Sequence, residues 1–163
     1  MLEGLTISNG IDWSLDGRTM YLADSGPGTV QAFDFDGERG TISNARVLIQ
    51  LSAEEGFPDG LTIDASGDLW AAIWGGSSVR RYAPDGSLLE ERPIPAVETT
   101  SCAFAGEGMH WLFVTSATEN WTDEQRRAAP SAGLVYRLET DATGRPAARF
   151  RPDPDWWATV RET

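Results

Sequence analysis

The chain is poor in the residues that build disulfides, histidine chemistry and basic surfaces. Among 163 residues there is one cysteine, Cys102, and one histidine, His110. A single cysteine excludes an internal disulfide and fits a reducing cytoplasm, the expected location. His110 sits in a turn ahead of an apolar run, where it reads as a surface residue. Thirteen Lys plus Arg stand against 25 Asp plus Glu, a formal net charge of −12. That deficit excludes nucleic acid as a partner, because phosphate contacts need a basic face. It is compatible with cations or small neutral ligands, and equally with solubility alone. No stretch approaches the roughly 20 apolar residues of a membrane helix. Met1–Leu5 has neither a basic start nor a long apolar run, so neither a signal peptide nor a membrane partner is expected.

What is present is a repeat. Ser8-Asn9-Gly10-Ile11-Asp12-Trp13 and Pro58-Asp59-Gly60-Leu61-Thr62-Ile63 each place an oxygen-bearing side chain before a glycine and an apolar strand, 50 residues apart. Each is followed by a turn (Asp16-Gly17, Ser66-Gly67), an apolar strand (Met20–Asp24, Leu69–Ile73), a third strand (Val30–Phe35, Ser78–Tyr82) and a more charged fourth (Ala45–Ile49, Leu88–Arg92). A third unit opens at Ser101-Cys102-Ala103-Phe104 and continues through Trp111–Thr115, Leu134–Leu138 and a weaker Ala148–Phe150.

Four short antiparallel strands per 40–50 residues indicate a β-propeller blade. The expected fold is all-β, with about three four-stranded blades over 5–52, 53–96 and 97–152 in one partial domain, and a tail over 153–163. A β-sandwich is the alternative. Propellers close with about four to eight blades, so three do not make a ring. An insertion over Ala117–Pro130 interrupts the third unit. Thr122 with Glu124 and Gln125 predicts a short helix there, ended by Pro130. Such a loop either covers a site or is a plain surface excursion.

Equivalent positions in a radial repeat converge on one axis. Asn9 and Asp59 therefore bring two oxygens together, a set suited to a hard cation such as Ca²⁺. Either dipeptide alone is also a common tight turn. Ser101 is assigned to the third equivalent position, where it would line the channel and bind substrate. It is not expected to be a nucleophile, since no histidine stands near any opening. Alternation turns Cys102 away, as a buried inert thiol. Trp74, next to Gly75-Gly76, is placed in a loop within reach of a ligand. Trp13, Trp70 and Trp111 read as core between blades, Asp24 and Asp64 as turn caps, and Trp156 and Trp157 as residues that dock on a partner half.

From about Leu5 to Phe150 the chain resembles the regucalcin/gluconolactonase family, which includes the senescence marker and luciferin-regenerating enzyme-like proteins. The resemblance is carried by Ile7–Ser14 with Asp16-Gly17, Pro58-Asp59-Gly60, Asp64–Trp70, Thr99–Phe104, Val114–Ala117 and Gly133–Tyr136. It implies the last three blades of a six-bladed propeller that hydrolyses a sugar-type lactone with one divalent metal. Ca²⁺ is expected first, with Zn²⁺, Mn²⁺ or Mg²⁺ as alternatives. It implies Asn9 and Asp59 as metal ligands, and a carboxylate beside the metal can orient or deprotonate the attacking water, so Asp59 is the expected catalytic residue. The family's metal-binding Glu and its substrate-contacting Arg and Asn precede the Ser-Asn-Gly motif and have no counterpart here. Non-catalytic calcium binding and a protein-interaction scaffold are the alternative functions. The expected partners are a small lactone and either a second copy of the chain or an N-terminal half that completes the ring.

Overall fold

Residues 2–149 are described by a computed structural model. The first sheet runs β1 (Ser8–Trp13), β2 (Thr19–Asp24), β3 (Thr29–Asp36) and β4 (Thr41–Gln50). The second runs β5 (Phe57–Ile63), β6 (Leu69–Trp74), β7 (Ser78–Tyr82) and β8 (Leu88–Pro93). The third contains β9 (Thr99–Ala105), β10 (Trp111–Ser116) and β11 (Val135–Glu139). Within each sheet the strands are antiparallel and follow chain order. Of the expected fourth strand in the last unit, Ala148 and Arg149 carry no strand and Phe150 lies outside the described residues. Trp156 and Trp157 lie outside them as well.

The second strand of the first two sheets is buried on both faces, which explains why these strands read as near-continuous apolar runs. Along β6, Leu69, Ala71 and Ile73 join Tyr21, Ala23, Val30 and Ile49 of the first sheet in one core. The alternate residues Trp70 and Ala72 join Cys102, Phe104, Leu112 and Val114 of the third sheet in another. A middle sheet with a separate core on each side excludes the two-layer sandwich. Together with consecutive-strand sheets, it gives successive propeller blades. The fourth strands β4 and β8 form the mostly exposed outer edges; β8 is charged as expected, while β4 carries a single charge, Arg46.

The innermost strands lie side by side, β1 against β5 and β5 against β9. Two glycines allow this approach. A Cβ on Gly10 would sit 2.5 Å from the Asp59 carbonyl oxygen and 2.6 Å from the Leu61 nitrogen. A Cβ on Gly60 would sit 2.7 Å from Ser101 Cα. The glycines of the Asn-Gly and Asp-Gly motifs are therefore inter-blade contacts inside strands, rather than turn residues.

Trp70 fills the core between the second and third blades and donates its Nε1–H to buried Asp64 at 3.0 Å. Trp13 packs instead on the outer face of the first sheet, 5.6 Å from Phe35. Trp111 lies beneath the Arg137 guanidinium, on the face of β10 opposite the buried Leu112 and Val114. The insertion forms the expected helix, α1 (Asp123–Ala128), closed at its start by a reciprocal Thr122–Gln125 capping box.

Candidate functional site

β1 and β5 carry the same irregularity. Register slips between Ser8 and Ile11 opposite β2, and between Pro58 and Leu61 opposite β6. Asn9-Gly10 and Asp59-Gly60 thus occupy matching bulges, a device that re-aims a side chain out of the ladder. Both point into one cleft of about 480 Å³, walled by Ile7, Phe57 and Trp74 and edged by Ser25, Gly26 and Glu119.

The orientation of Asn9 is set by hydrogen-bond bookkeeping. Buried Ser25 donates its one hydroxyl proton to the Pro58 carbonyl at 2.7 Å. Its oxygen must then accept from Asn9 Nδ2, which stands 2.8 Å away. With the amide nitrogen engaged, Asn9 keeps Oδ1 as a free acceptor. Asp24, beside Ser25, accepts the Thr6 and Ile7 amides, and Ser25 N–H donates to the Ile7 carbonyl. The end of β2 therefore clips the entry to β1 from behind. Asp64 plays a comparable structural part, accepting from Ser66 and Asp68 amides.

Asp59 is half-buried and forms no ion pair or side-chain salt contact among the described residues. Burial pushes its carboxyl up to about 6, partly opposed by the Gly60 amide. An unpaired carboxylate with a free amide oxygen in a cleft lined by no arginine is a donor set that fits a hard cation. No group of three or more His, Cys, Asp or Glu poised for a metal exists among the described residues.

Trp74 lines the cleft as expected, but from the end of β6 rather than from a loop, directly opposite Phe57. Ser101 does not line it. In β9 the extra residue of the register slip is Thr100, and Ser101 stands level with Gly60, exposed. By register Thr100 is the counterpart of Asn9 and Asp59, and its hydroxyl is paired with Thr115 at 2.6 Å. Cys102 is buried, with its thiol pushed up to about 12 by burial. His110 is exposed, beside Thr143.

Five cleft residues escaped sequence reasoning: Ile7, Ser25, Gly26, Phe57 and Glu119. Ser25 faces the β1 bulge because Asp24 pairs with Ser8, a register that the hairpin length implies. Phe57 precedes Asp59 by two residues, the spacing that puts strand side chains on one face. Glu119 comes from the insertion, and no local pattern places it.

The blades and the cleft on their inner strands define a β-propeller protein with Asn9 and Asp59 in one cleft. Residues 1–118 match the family model described as the SMP-30/Gluconolactonase/LRE-like region, and the chain belongs to that family. Regucalcin of Xenopus laevis is 41% identical over 133 residues, covering 81% of this chain and 44% of that one. The crystal structure of a calcium-binding protein, regucalcin, from Agrobacterium tumefaciens superposes with a TM-score of 0.84 at 34% identity, over 90% of this chain and 50% of that one. A gluconolactonase from Xanthomonas campestris superposes with a TM-score of 0.59 at 29% identity, over 70% of this chain and 36% of that one. The chain spans about half the length of the relatives it matches.

Proposed function

We propose that the cleft is the divalent-metal site of a lactone hydrolase, with Asn9 and Asp59 as protein ligands. The reading is carried by one observation: Asn9, its Oδ1 freed by Ser25, and Asp59, unpaired, share one cleft from matching bulges of adjacent blades. The family supports it, as do a gluconolactonase and a calcium-binding regucalcin among the structural relatives. A bound divalent ion would polarise the lactone carbonyl and acidify a water.

The rest of the chemistry falls to the chain's own residues. Phe57 and Trp74 form an apolar wall against which the carbon face of a sugar-type ring packs. Asp59 accepts the proton of the attacking water while the water oxygen adds to the carbonyl carbon. The ring C–O bond then breaks, its oxygen takes up a proton, and a hydroxy acid leaves. In the metal-free chain burial pushes the Asp59 carboxyl up to about 6; a cation beside it would lower that value and keep Asp59 ionised, as a base requires. Ser25 holds Asn9 in its accepting orientation throughout.

The test is a panel of sugar lactones with Ca²⁺, Mg²⁺, Mn²⁺ or Zn²⁺, for wild type and Asp59→Ala. Hydrolysis that stops with chelator and with Asp59→Ala supports the assignment; hydrolysis unchanged in Asp59→Ala rejects it. One observation favours a second reading, non-catalytic calcium binding: a structural relative at 34% identity is described as a calcium-binding protein, regucalcin. Ca²⁺ uptake without turnover of any lactone would select it.

A further inference from the structure

The loop between β10 and β11 is pinned at several points. Glu98, which bridges to Trp74 beside the cleft, accepts the Glu119 amide at 2.9 Å and the Trp121 Nε1–H at 2.8 Å. Its carbonyl accepts the Ala117 amide at 2.8 Å. From the far side, Arg126 of α1 donates to the Thr118 hydroxyl at 2.7 Å, the Thr118 carbonyl at 3.1 Å and the Trp121 carbonyl at 3.3 Å. Asn120 takes a left-handed turn, φ 58°, immediately after Glu119. All of these contacts hold the loop, and none engages the Glu119 carboxylate. Glu119 lines the cleft with Asn9 and Asp59, and its side chain is exposed and without a hydrogen bond or ion pair among the described residues.

The residues lining the cleft thus include two unpaired acids, Asp59 and Glu119, and one amide, Asn9, with no basic residue among them. One carboxylate comes from the blade scaffold and the other from the insertion. Hard cations gain affinity with the number of charged oxygens around them, and like charges facing one cleft are relieved by a cation between them. We propose that Glu119 is the second carboxylate of the cation site, delivered by the insertion and positioned by Glu98. This rests on the reading of Asn9 and Asp59 given above. It makes the insertion a part of the site rather than a surface excursion, with Glu98 acting only through the loop it holds.

The test is calorimetric titration of CaCl₂ into the 163-residue chain, without substrate, for wild type, Glu119→Gln, Glu98→Ala, the double variant Glu98→Ala/Glu119→Gln, Asp59→Asn and Glu124→Gln. Glu124 is on α1 in the same loop but does not line the cleft, so it controls for lost net charge. The Glu119 side chain is exposed and unpaired, so its variant keeps the fold, as circular dichroism will verify. The expected result is about tenfold weaker Ca²⁺ binding in Glu119→Gln, less than twofold weakening in Glu124→Gln, and in Glu98→Ala a loss that does not add to that of Glu119→Gln. Unchanged affinity in Glu119→Gln, with binding lost in Asp59→Asn, overturns this inference and leaves the proposed function standing. Equal losses in Glu119→Gln and Glu124→Gln overturn it too, as general charge attraction. Wild-type affinity in Asp59→Asn, or no Ca²⁺ uptake by the wild type, overturns both.

Discussion

Replacing Asp59 by Asn should make the metal-free protein more stable. The carboxyl is pushed from 3.8 to about 6 by burial, with no cation to offset it. The sign follows from linkage. Between those two values the folded chain binds more protons than the unfolded chain, so the Asp59 contribution to stability falls as pH rises through this window. Above about pH 6 the whole penalty is present. At ~1.4 kcal/mol per unit the shift corresponds to a ceiling of ~3 kcal/mol. Asp59 is only half-buried, and screening by water leaves about 1–2 kcal/mol. For a chain of this size that is a rise of about 3–6 °C in melting temperature. The assay is thermal unfolding of wild type and Asp59→Asn in chelator, at pH 8 and pH 5. Asn is isosteric and neutral, so the gain should appear in full at pH 8 and shrink to about half at pH 5, where much of the native carboxyl is already protonated. Saturating Ca²⁺ should reverse the order: at about 100 times the dissociation constant the wild type gains ~2.7 kcal/mol and the variant little. A variant less stable than wild type at both pH values would refute the argument, because the carboxylate would then be holding the fold rather than straining it.

Other consequences follow from the packing. Gly60→Ala forces a Cβ to 2.7 Å from Ser101 Cα and should cost about 2–3 kcal/mol in chemical denaturation, whereas Gly37→Ala, whose nearest contact is 3.6 Å away, should be close to neutral; equal costs would disprove the close-approach role. Ser25→Ala leaves the Pro58 carbonyl and the Asn9 amide without their partner, so it should lower stability by about 1–3 kcal/mol and weaken Ca²⁺ binding as Asn9 loses its orientation; unaltered Ca²⁺ affinity would remove Ser25 from the site. The outer face of the first sheet carries Leu2, Leu5, Trp13, Phe35 and Ile42 packed on Met20, Leu22 and Phe33, and the Trp13 Nε1 there is buried without a partner. The 163-residue chain is expected to bury this face by self-association, seen as dimers in sedimentation velocity at micromolar concentration; a monomer across the concentration range would reject that.

The parts of the fold that were legible are those where period and turn chemistry repeat. Leu69–Ile73 was recognisable as a strand, and its burial on both faces is what an unbroken apolar run means in a stacked blade. The capping box at Thr122 was legible for the same reason, because it is local. Asn9 and Asp59 were legible as a pair because two blades carry the same motif, and they share one cleft. Ser101 was assigned one residue late: the bulge of β9 holds Thr100, and a register slip is a property of two strands, invisible in one. Trp74 was placed in a loop because Gly75-Gly76 marks a break, yet pairing with Phe57 extends the strand through it. Glu119 depends on a loop folding back onto Glu98, a contact across 21 residues that no spacing rule encodes.

The central claim is that Asn9 and Asp59 together bind a divalent ion. Anomalous diffraction from crystals of the chain soaked in Mn²⁺ tests it most directly. The account predicts a single strong peak in the cleft, within bonding distance of Asn9 Oδ1 and the Asp59 carboxylate and lost in Asp59→Asn. A peak elsewhere, or an empty cleft at saturating Mn²⁺, would contradict it.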